Sequence, residues 1–471
     1  MSDSTQLADQ FLLQSSLKPD TSVKVSRGKS VAIVNDGQSG SYSSGIVSFD
    51  CASTLNGSQG YASLKDAYIV LPYVVSMKNT ADTALSAGDY PTRYALGMKC
   101  NIASVIDEVK VYLNGKSIIT PSEFKQIWSN VRAMAELTTA EAISQAIAQM
   151  HGTGGFKKGT SLTQGSTLGE WVYMLKIRLV DLHPIFNEID LVANPQLKLE
   201  LKVQTGYSDL TLIPSATTTA RTMSLSSTTL VAGSICPVKI ASSYSATTDT
   251  MNSVIGTAGC SNKLRVAWGP IHNSITTIAT SGNYFPFTQS RLNRPFYDIA
   301  NPTSIVSKPM KTIKYLDCYS QMFEDQAGIG AITSNKNFSI PYASPFDSAP
   351  WTFQPGSSIL DFQVQVGNKD AFQDVHSYDW MTFLDEFSKL SAVNGDLSRE
   401  ISNGLIGMDK WQTAQRILVA DCSRISEADV PQSIKISGTN IATQGTNLLV
   451  LVVYERSLEL DRTTGEVYRA E

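Results

Sequence analysis

The sequence predicts an all-β fold of two tandem sandwiches, with short helices confined to the loops between strands. Three observations carry this expectation. Short runs rich in β-branched and aromatic residues alternate with Ser, Gly, Asn and Asp clusters along nearly the whole chain. Helical periodicity surfaces only at a few well-bounded places. A weak internal repeat then maps the second half of the chain onto the first.

The strand candidates run in order through Val31–Val34, Ala67–Val75, Val109–Leu113, Leu175–Val180 and Leu197–Val203. Leu197–Val203, Leu-Lys-Leu-Glu-Leu-Lys-Val, alternates strictly and is expected to bury one face only. Leu264–Trp268, Thr312–Leu316, Ile359–Val366, Arg416–Ala420 and Leu448–Glu455 continue the series. Thr120-Pro121-Ser122-Glu123 reads as a capping box before a helical stripe of Phe124, Ile127, Trp128, Val131 and Met134. A second box, Thr138-Thr139-Ala140-Glu141, opens another helix through Ile143 and Ile147. The second half carries its own stripes, Trp380, Phe383, Leu384, Phe387, Leu390 and then Leu397, Ile401, Leu405. These stripes are read as packing faces.

The repeat rests on three echoes in the same order. Val109–Lys116 (VKVYLNGK) is echoed by Phe362–Lys369 (FQVQVGNK), each ahead of a Trp-containing helical stretch. Leu175–Asp181 (LKIRLVD), after Trp171, is echoed by Arg416–Asp421 (RILVAD), after Trp411. Pro195-Gln196-Leu197 is echoed by Pro431-Gln432-Ser433-Ile434. One repeat of this length is a domain duplication, and 471 residues exceed the roughly 250–300 at which a single core stops growing. The expected division is an N-terminal arm at 1–22, a first sandwich at 23–300 with inserted helices, and a second at 301–471. In the arm, Leu7/Phe11 and Leu13/Leu17 at i,i+4 spacing leave a short amphipathic helix and a disordered terminus both open.

Composition excludes several functions. Charged residues are 17% of the chain and the net charge is −4, with no Lys/Arg block. Strong direct nucleic-acid binding needs a basic patch to displace phosphate counterions, so it is not expected. Few charges suit a surface that neighbours cover. Cys51, Cys100, Cys236, Cys260, Cys318 and Cys422 are scattered without a C-x-x-C pair, against structural zinc and against a disulfide framework. The N-terminus shows no basic stretch followed by a long apolar run, and no apolar run is long enough to span a bilayer. The sequons at Asn56 and Asn337 carry little weight without a secretory route.

The search for catalytic chemistry returns no catalytic, cofactor-binding or metal residue. Arg27-Gly28-Lys29-Ser30 ends like a phosphate loop, but Val23 stands where the motif requires its first glycine. His183, Glu188 and Asp190 are spaced too irregularly for a metal site, and His183-Pro184 reads as a turn. Asp107/Glu108 and Asp385/Glu386 are sequence neighbours whose side chains diverge on a strand or a helix.

A duplicated β-unit with a helical excursion at a fixed place fits a jelly roll, giving two tandem jelly-roll β-sandwiches. The chain resembles the double jelly-roll major capsid proteins of double-stranded DNA viruses, especially the branch of polinton-like viruses and virophages. The resemblance lies in Leu64–Tyr73 (LKDAYIVLPY), Leu179–Leu191 (LVDLHPIFNEIDL), Arg291–Asp298 (RLNRPFYD), Ser344–Ser357 (SPFDSAPWTFQPGS) and the ending Leu448–Val467. It implies a non-enzymatic subunit, assembled inside the host cell as a homotrimer. Such trimers are pseudo-hexameric capsomers that tile an icosahedral virion shell beside neighbouring capsomers, penton and minor capsid proteins. The arm and the tail at Asp461–Glu471 are expected at inner or lateral contacts. The second half departs from the family in lacking an apolar strand like Ala67–Val75 between Gln326 and Pro345; either a shorter strand near Phe338–Tyr342 replaces it or this copy is trimmed, which leaves the second roll's strand count open. Two other classes use similar sandwiches. A carbohydrate-binding adhesin or virion fibre needs exposed coplanar aromatics, and a glycoside hydrolase needs carboxylates converging across a cleft.

Overall fold

The computed structural model describes residues 24–33, 45–51, 60–79, 94–98, 102–121, 124–137, 140, 157–158, 167–193, 195–214, 223–231, 237–242, 263–270, 289–299, 302–326, 359–372, 378–394, 406–413, 417–427, 431–440 and 446–470. The arm at 1–22, the second capping box, the stripe at 397–405, both sequons and the Gln326–Pro345 interval lie outside these residues, apart from Ala140 and Gln326 themselves.

The fold is β throughout. The first half carries β1 (Lys24–Ile33), β2 (Ile46–Asp50), β3 (Tyr61–Ala62), β4 (Tyr68–Asn79), β5 (Tyr94–Met98), β6 (Ile106–Leu113), β7 (Lys116–Ser117), β8 (Lys157–Lys158), β9 (Thr167–Arg178), β10 (Val192–Ala193), β11 (Leu197–Val203), β12 (Gly206–Pro214), β13 (Met223–Val231), β14 (Val238–Ser242), β15 (Lys263–Pro270) and β16 (Arg291–Ile299). Later come β17 (Met310–Gln326), β18 (Ile359–Val366), β19 (Lys369–Asp370), β20 (Ile434–Asn440), β21 (Thr446–Asp461) and β22 (Val467–Ala470). Helices are α1 (Lys125–Glu136), α2 (Leu179–Leu182), α3 (Ile185–Glu188), α4 (Thr303–Ser307), α5 (Trp380–Asn394) and α6 (Met408–Thr413).

The wiring of the first half is that of a jelly roll. One sheet runs β1-β16-β4-β9 and the other β2-β11-β6, all antiparallel. The chain crosses between the sheets as it proceeds, and its first and last strands pair side by side. β3 and β10 extend the first sheet at one end, and β15, β12 and β13 at the other. β5, β8 and β14 form a separate small sheet. Strict alternation does what it must in β11. Leu197, Leu199, Leu201 and Val203 are buried, while Lys198 and Lys202 face outward. Each such leucine stabilises the sandwich by about 2 kcal/mol.

The repeat is visible as structure in two of its three echoes. β6 turns into β7 through Asn114 and Gly115, both at positive φ, the Asn-Gly signature of a type I′ hairpin. β18 turns into β19 through Gly367-Asn368, with positive φ at Gly367. A helix follows each hairpin, α1 and α5. β11 then pairs with β6 as Leu197↔Leu113, and β20 with β18 as Ile434↔Val366. β17 and β21 of the second half pair as β1 and β16 do, and β22 follows as a short return strand on β21. Every ladder among the described residues joins strands on the same side of residue 300.

The remaining echo needs correction. Leu175–Arg178 lies in β9, and Leu179–Leu182 is already a helical turn. Residues 417–420, from the expected Arg416–Ala420 strand, form no ladder among the described residues. Trp171 is in a strand and Trp411 in a helix. The physical reason is the partner. β9 is held along β4 by a long antiparallel ladder, whereas residues 417–420 have no ladder partner among the described residues. The Tyr378 hydroxyl accepts from the Val419 amide at 2.7 Å and donates to its carbonyl at 2.6 Å, in place of a ladder.

Candidate functional site: the junction between the two copies

Among the described residues, an extended polar arrangement lies where the first copy meets β17 and β21. It begins with parity. Ile313 and Tyr315 are buried on one face of β17, and Asp317 shares that face. Across the ladder they meet Leu458, Arg456 and Tyr454 respectively. A carboxylate at 0% exposure must be compensated, and four donors converge on it. Oδ1 accepts from the Cys318 amide at 2.8 Å and from His183 Nε2 at 3.2 Å. Oδ2 accepts from the Thr120 amide at 2.6 Å and from Arg456 at 3.2 Å.

His183 is 1% exposed at the step from α2 to α3, the turn read from His183-Pro184. Its Nδ1 accepts the Ile185 amide at 3.2 Å. That bond requires a lone pair on Nδ1, so the proton sits on Nε2 and is donated to Asp317. The ring stands edge-on to Trp128 of α1, centroids 5.3 Å apart, and to Tyr315 at 6.0 Å. The Tyr315 hydroxyl donates to the Ile118 carbonyl at 2.5 Å, and burial pushes its pKa well up. The hydroxyls of Thr120 and Tyr454 close the group by bonding each other.

Thr120 therefore does not cap α1. The helix starts at Lys125 behind Phe124, a residue at φ 59 with no side-chain cap. The capping box is overridden because the Thr120 amide and hydroxyl are spent on Asp317 and Tyr454. By contrast α5 has a cap the sequence reading passed over. Asp379 accepts from the Thr382 amide and hydroxyl, both at 2.8 Å, which holds its carboxyl below the usual range.

The junction continues on both sides. Lys311 donates to the Glu188 carbonyl at 2.8 Å, and burial lowers its pKa. The Ala193 amide donates to the Arg462 carbonyl at 2.8 Å. At the β6–β7 turn, Asn114 donates to the Gly465 carbonyl and Lys116 to the Tyr468 carbonyl at 3.0 Å. Residues 461–470, from the tail expected at inner or lateral contacts, are the turn and return strand of the β21–β22 hairpin, which sits on the first copy with Leu458, Leu460 and Val467 in the shared core. Helices α1 and α5, counterparts in the repeat, pack together. Val131 and Met134 meet Phe383, Phe387, Ile406 and Trp411.

Other sequence candidates fall elsewhere. Arg27–Ser30 lies in β1, where the register shifts between Ser26 and Gly28 and Gly28 takes a positive φ. Both ring nitrogens of His183 are occupied, and Glu188 engages Lys311. Asp107 pairs with Lys202 at 3.3 Å, while its neighbour Glu108 pairs with Lys110 at 3.2 Å. Glu386 accepts the Asp421 amide at 2.5 Å, and Asp385 is exposed. Among the described residues no three His, Cys, Asp or Glu side chains are grouped to hold a metal ion. Cys51 and Cys318 are buried and outside any disulfide, and burial pushes the Cys422 thiol up to about 11.

No family profile and no curated protein matches the sequence. Solved structures do resemble the chain. A chain of the Sputnik virophage, from its 3.5 Å cryo-EM structure, is 13% identical with a TM-score of 0.48, over 97% of this chain and 91% of that one. The mavirus major capsid protein is 11% identical with a TM-score of 0.41, over 95% and 91%. A chain of the PBCV-1 virus capsid is 10% identical with a TM-score of 0.40, over 96% and 98%.

Proposed function

We propose that the chain is a major capsid protein, a non-enzymatic wall subunit that assembles as homotrimers to tile an icosahedral virion. The observation that carries this reading is the joining of two β-copies, the first wired as a jelly roll, through unlike surfaces. The first copy offers its hairpin tip, Thr120, α1 and the His183 turn, and the second offers β17, β21 and β22. A contact between unlike surfaces of like units propagates head to tail and closes into a ring when the rotation allows. Three chains of two copies give six positions, the outline of a pseudo-hexameric tile. The division into units at 23–300 and 301–471 belongs to this proposal, with the arm at 1–22 and the partner capsomers, penton and minor capsid proteins around it.

The same reading accounts for the weak charge. A net −4 without a basic block suits a container filled by separate machinery better than a coat that condenses its genome. The buried Asp317 cluster suits a fixed wall, since its polar groups are spent on one another. Light scattering coupled to size exclusion tests the proposal, together with negative-stain images of the same fractions. Trimers with a hexagonal outline are the expected result. A permanent monomer, or one that binds glycans or turns them over, would overturn it.

A further inference from the structure

We propose that His183 is an acid-sensitive latch on the seam between the two copies, closed while its imidazole is neutral and released when the ring takes up a second proton. This goes beyond the wall reading, since it concerns how the seam within one chain opens. Nε2 already carries its proton toward Asp317 Oδ1 at 3.2 Å, so an added proton goes to Nδ1. Nδ1 is where the Ile185 amide donates, also at 3.2 Å. Two N–H groups then face each other, and the amide loses its acceptor at a site where His183 is buried.

The groups around the ring offer the added charge no further partner. Asp317 by itself favours an imidazolium, but Arg456 of β21 already answers its charge at 3.2 Å. Asp317, Arg456 and a neutral ring sum to zero, whereas a protonated ring leaves one buried positive charge. From α1, Trp128 faces the ring, and the Arg132 guanidinium lies over that indole, 5.3 Å from its centroid. Arg132 is paired in turn with Glu136 at 3.0 Å. Burial pushes the Tyr315 and Tyr454 hydroxyls up, so both stay protonated in acid. Thr120 supplies only neutral groups. The carboxylates of the turn itself are engaged, Asp181 by Arg178 at 2.7 Å and Glu188 by Lys311 at 3.6 Å.

Proton uptake is therefore tied to opening. An opened turn frees an imidazole that takes its proton in the ordinary range, about pH 6.5. Below that pH the open form gains about tenfold on the closed one per pH unit, the linkage of a single proton. What opens is the step from α2 to α3, and with it the bonds of Asp317 to Thr120 and of Lys311 to the Glu188 carbonyl. Carboxylates take their protons near pH 4, so the window from about pH 5 to about pH 6.5 belongs to histidine.

The test is hydrogen–deuterium exchange of the full chain, read by mass spectrometry between about pH 7.5 and about pH 5 and corrected for intrinsic exchange. The reporters are the Ile185, Thr120 and Cys318 amides, each bonded within the cluster, with β11 as the reference. In the wild type, protection of the reporters is expected to fall about tenfold per pH unit below about pH 6.5, while β11 stays level. His183→Gln keeps a side-chain donor for Asp317 but takes up no proton, so its protection is expected to stay level. Replacing His151, His272 and His376 together by Gln leaves His183 alone of the four histidines and is expected to keep the wild-type fall. Level protection in the wild type, a fall that persists in H183Q, or a fall that vanishes with the other three histidines would each overturn the latch. Should H183Q fold poorly, the chain with His183 alone still decides, because its fall can come from no other imidazole.

Discussion

The two copies use the same hairpin and helix in different company. In the first, β6, β7 and β11 carry their apolar face against a full sandwich, and Leu197, Leu199 and Leu201 are buried to 1% exposure or less. In the second, β18 and β20 keep the same register, yet Ile434 is 47% exposed and Leu360 48%. The first copy has β2 on the far side of β11, whereas β20 has no further ladder partner among the described residues. Alternation in a strand therefore fixes which face turns inward, while burial depends on what the rest of the chain lays over that face.

The largest expected effect is at the seam. Asp317→Ala leaves Arg456 and His183 without their shared acceptor and is expected to cost about 3–5 kcal/mol in denaturant unfolding. A loss below about 1 kcal/mol would break the comparison, because the copies would then be held by apolar packing alone. Next comes a matched pair from the repeat, Leu199→Ala and Ile436→Ala, opposite Val111 and Val364 in their ladders. The first is expected to cost about 3 kcal/mol as a core cavity, and the second about 1 kcal/mol. Equal losses would mean the second sandwich is as tightly filled as the first.

Smaller still is the helix cap that only the second copy has. Asp379→Ala is expected to cost about 1 kcal/mol by loss of the Thr382 bonds. Its pH dependence has a definite sign. The Thr382 amide, then its hydroxyl, lower the carboxyl's pKa in the folded chain, so the contribution is complete above the unfolded value of about 3.9. It is lost as the pH falls through the folded value. Because Asp379 is exposed, solvent screening holds the pH-dependent part to about 0.5 kcal/mol. Urea midpoints of wild type and D379N that run parallel below pH 4 would contradict it.

Much of the fold was legible because strand period and turn chemistry are local. Leu197–Val203 announced its buried face, while Asn114-Gly115 and Gly367-Asn368 stood in the sequence as marks of the repeat whose hairpin signal went unread. The repeat was legible where it was carried by such local signals. It misled at Arg416–Ala420, because a strand needs a partner that its own residues do not specify. The junction was barely legible. His183 was read as a turn residue, and Thr120 as a cap. The available signal was Asp317, an acid on the same face as Ile313 and Tyr315, which calls for buried donors from elsewhere in the chain. Which donors answer depends on contacts more than a hundred residues away, and no local pattern encodes those.

The central claim is that duplicated copies, joined head to tail, make a wall subunit that closes as a trimer. Native mass spectrometry of the purified full chain tests it most directly. The expected result is a dominant species of three 51.1 kDa chains, with dimers only as a minor intermediate. A chain that stays monomeric at every concentration would contradict it.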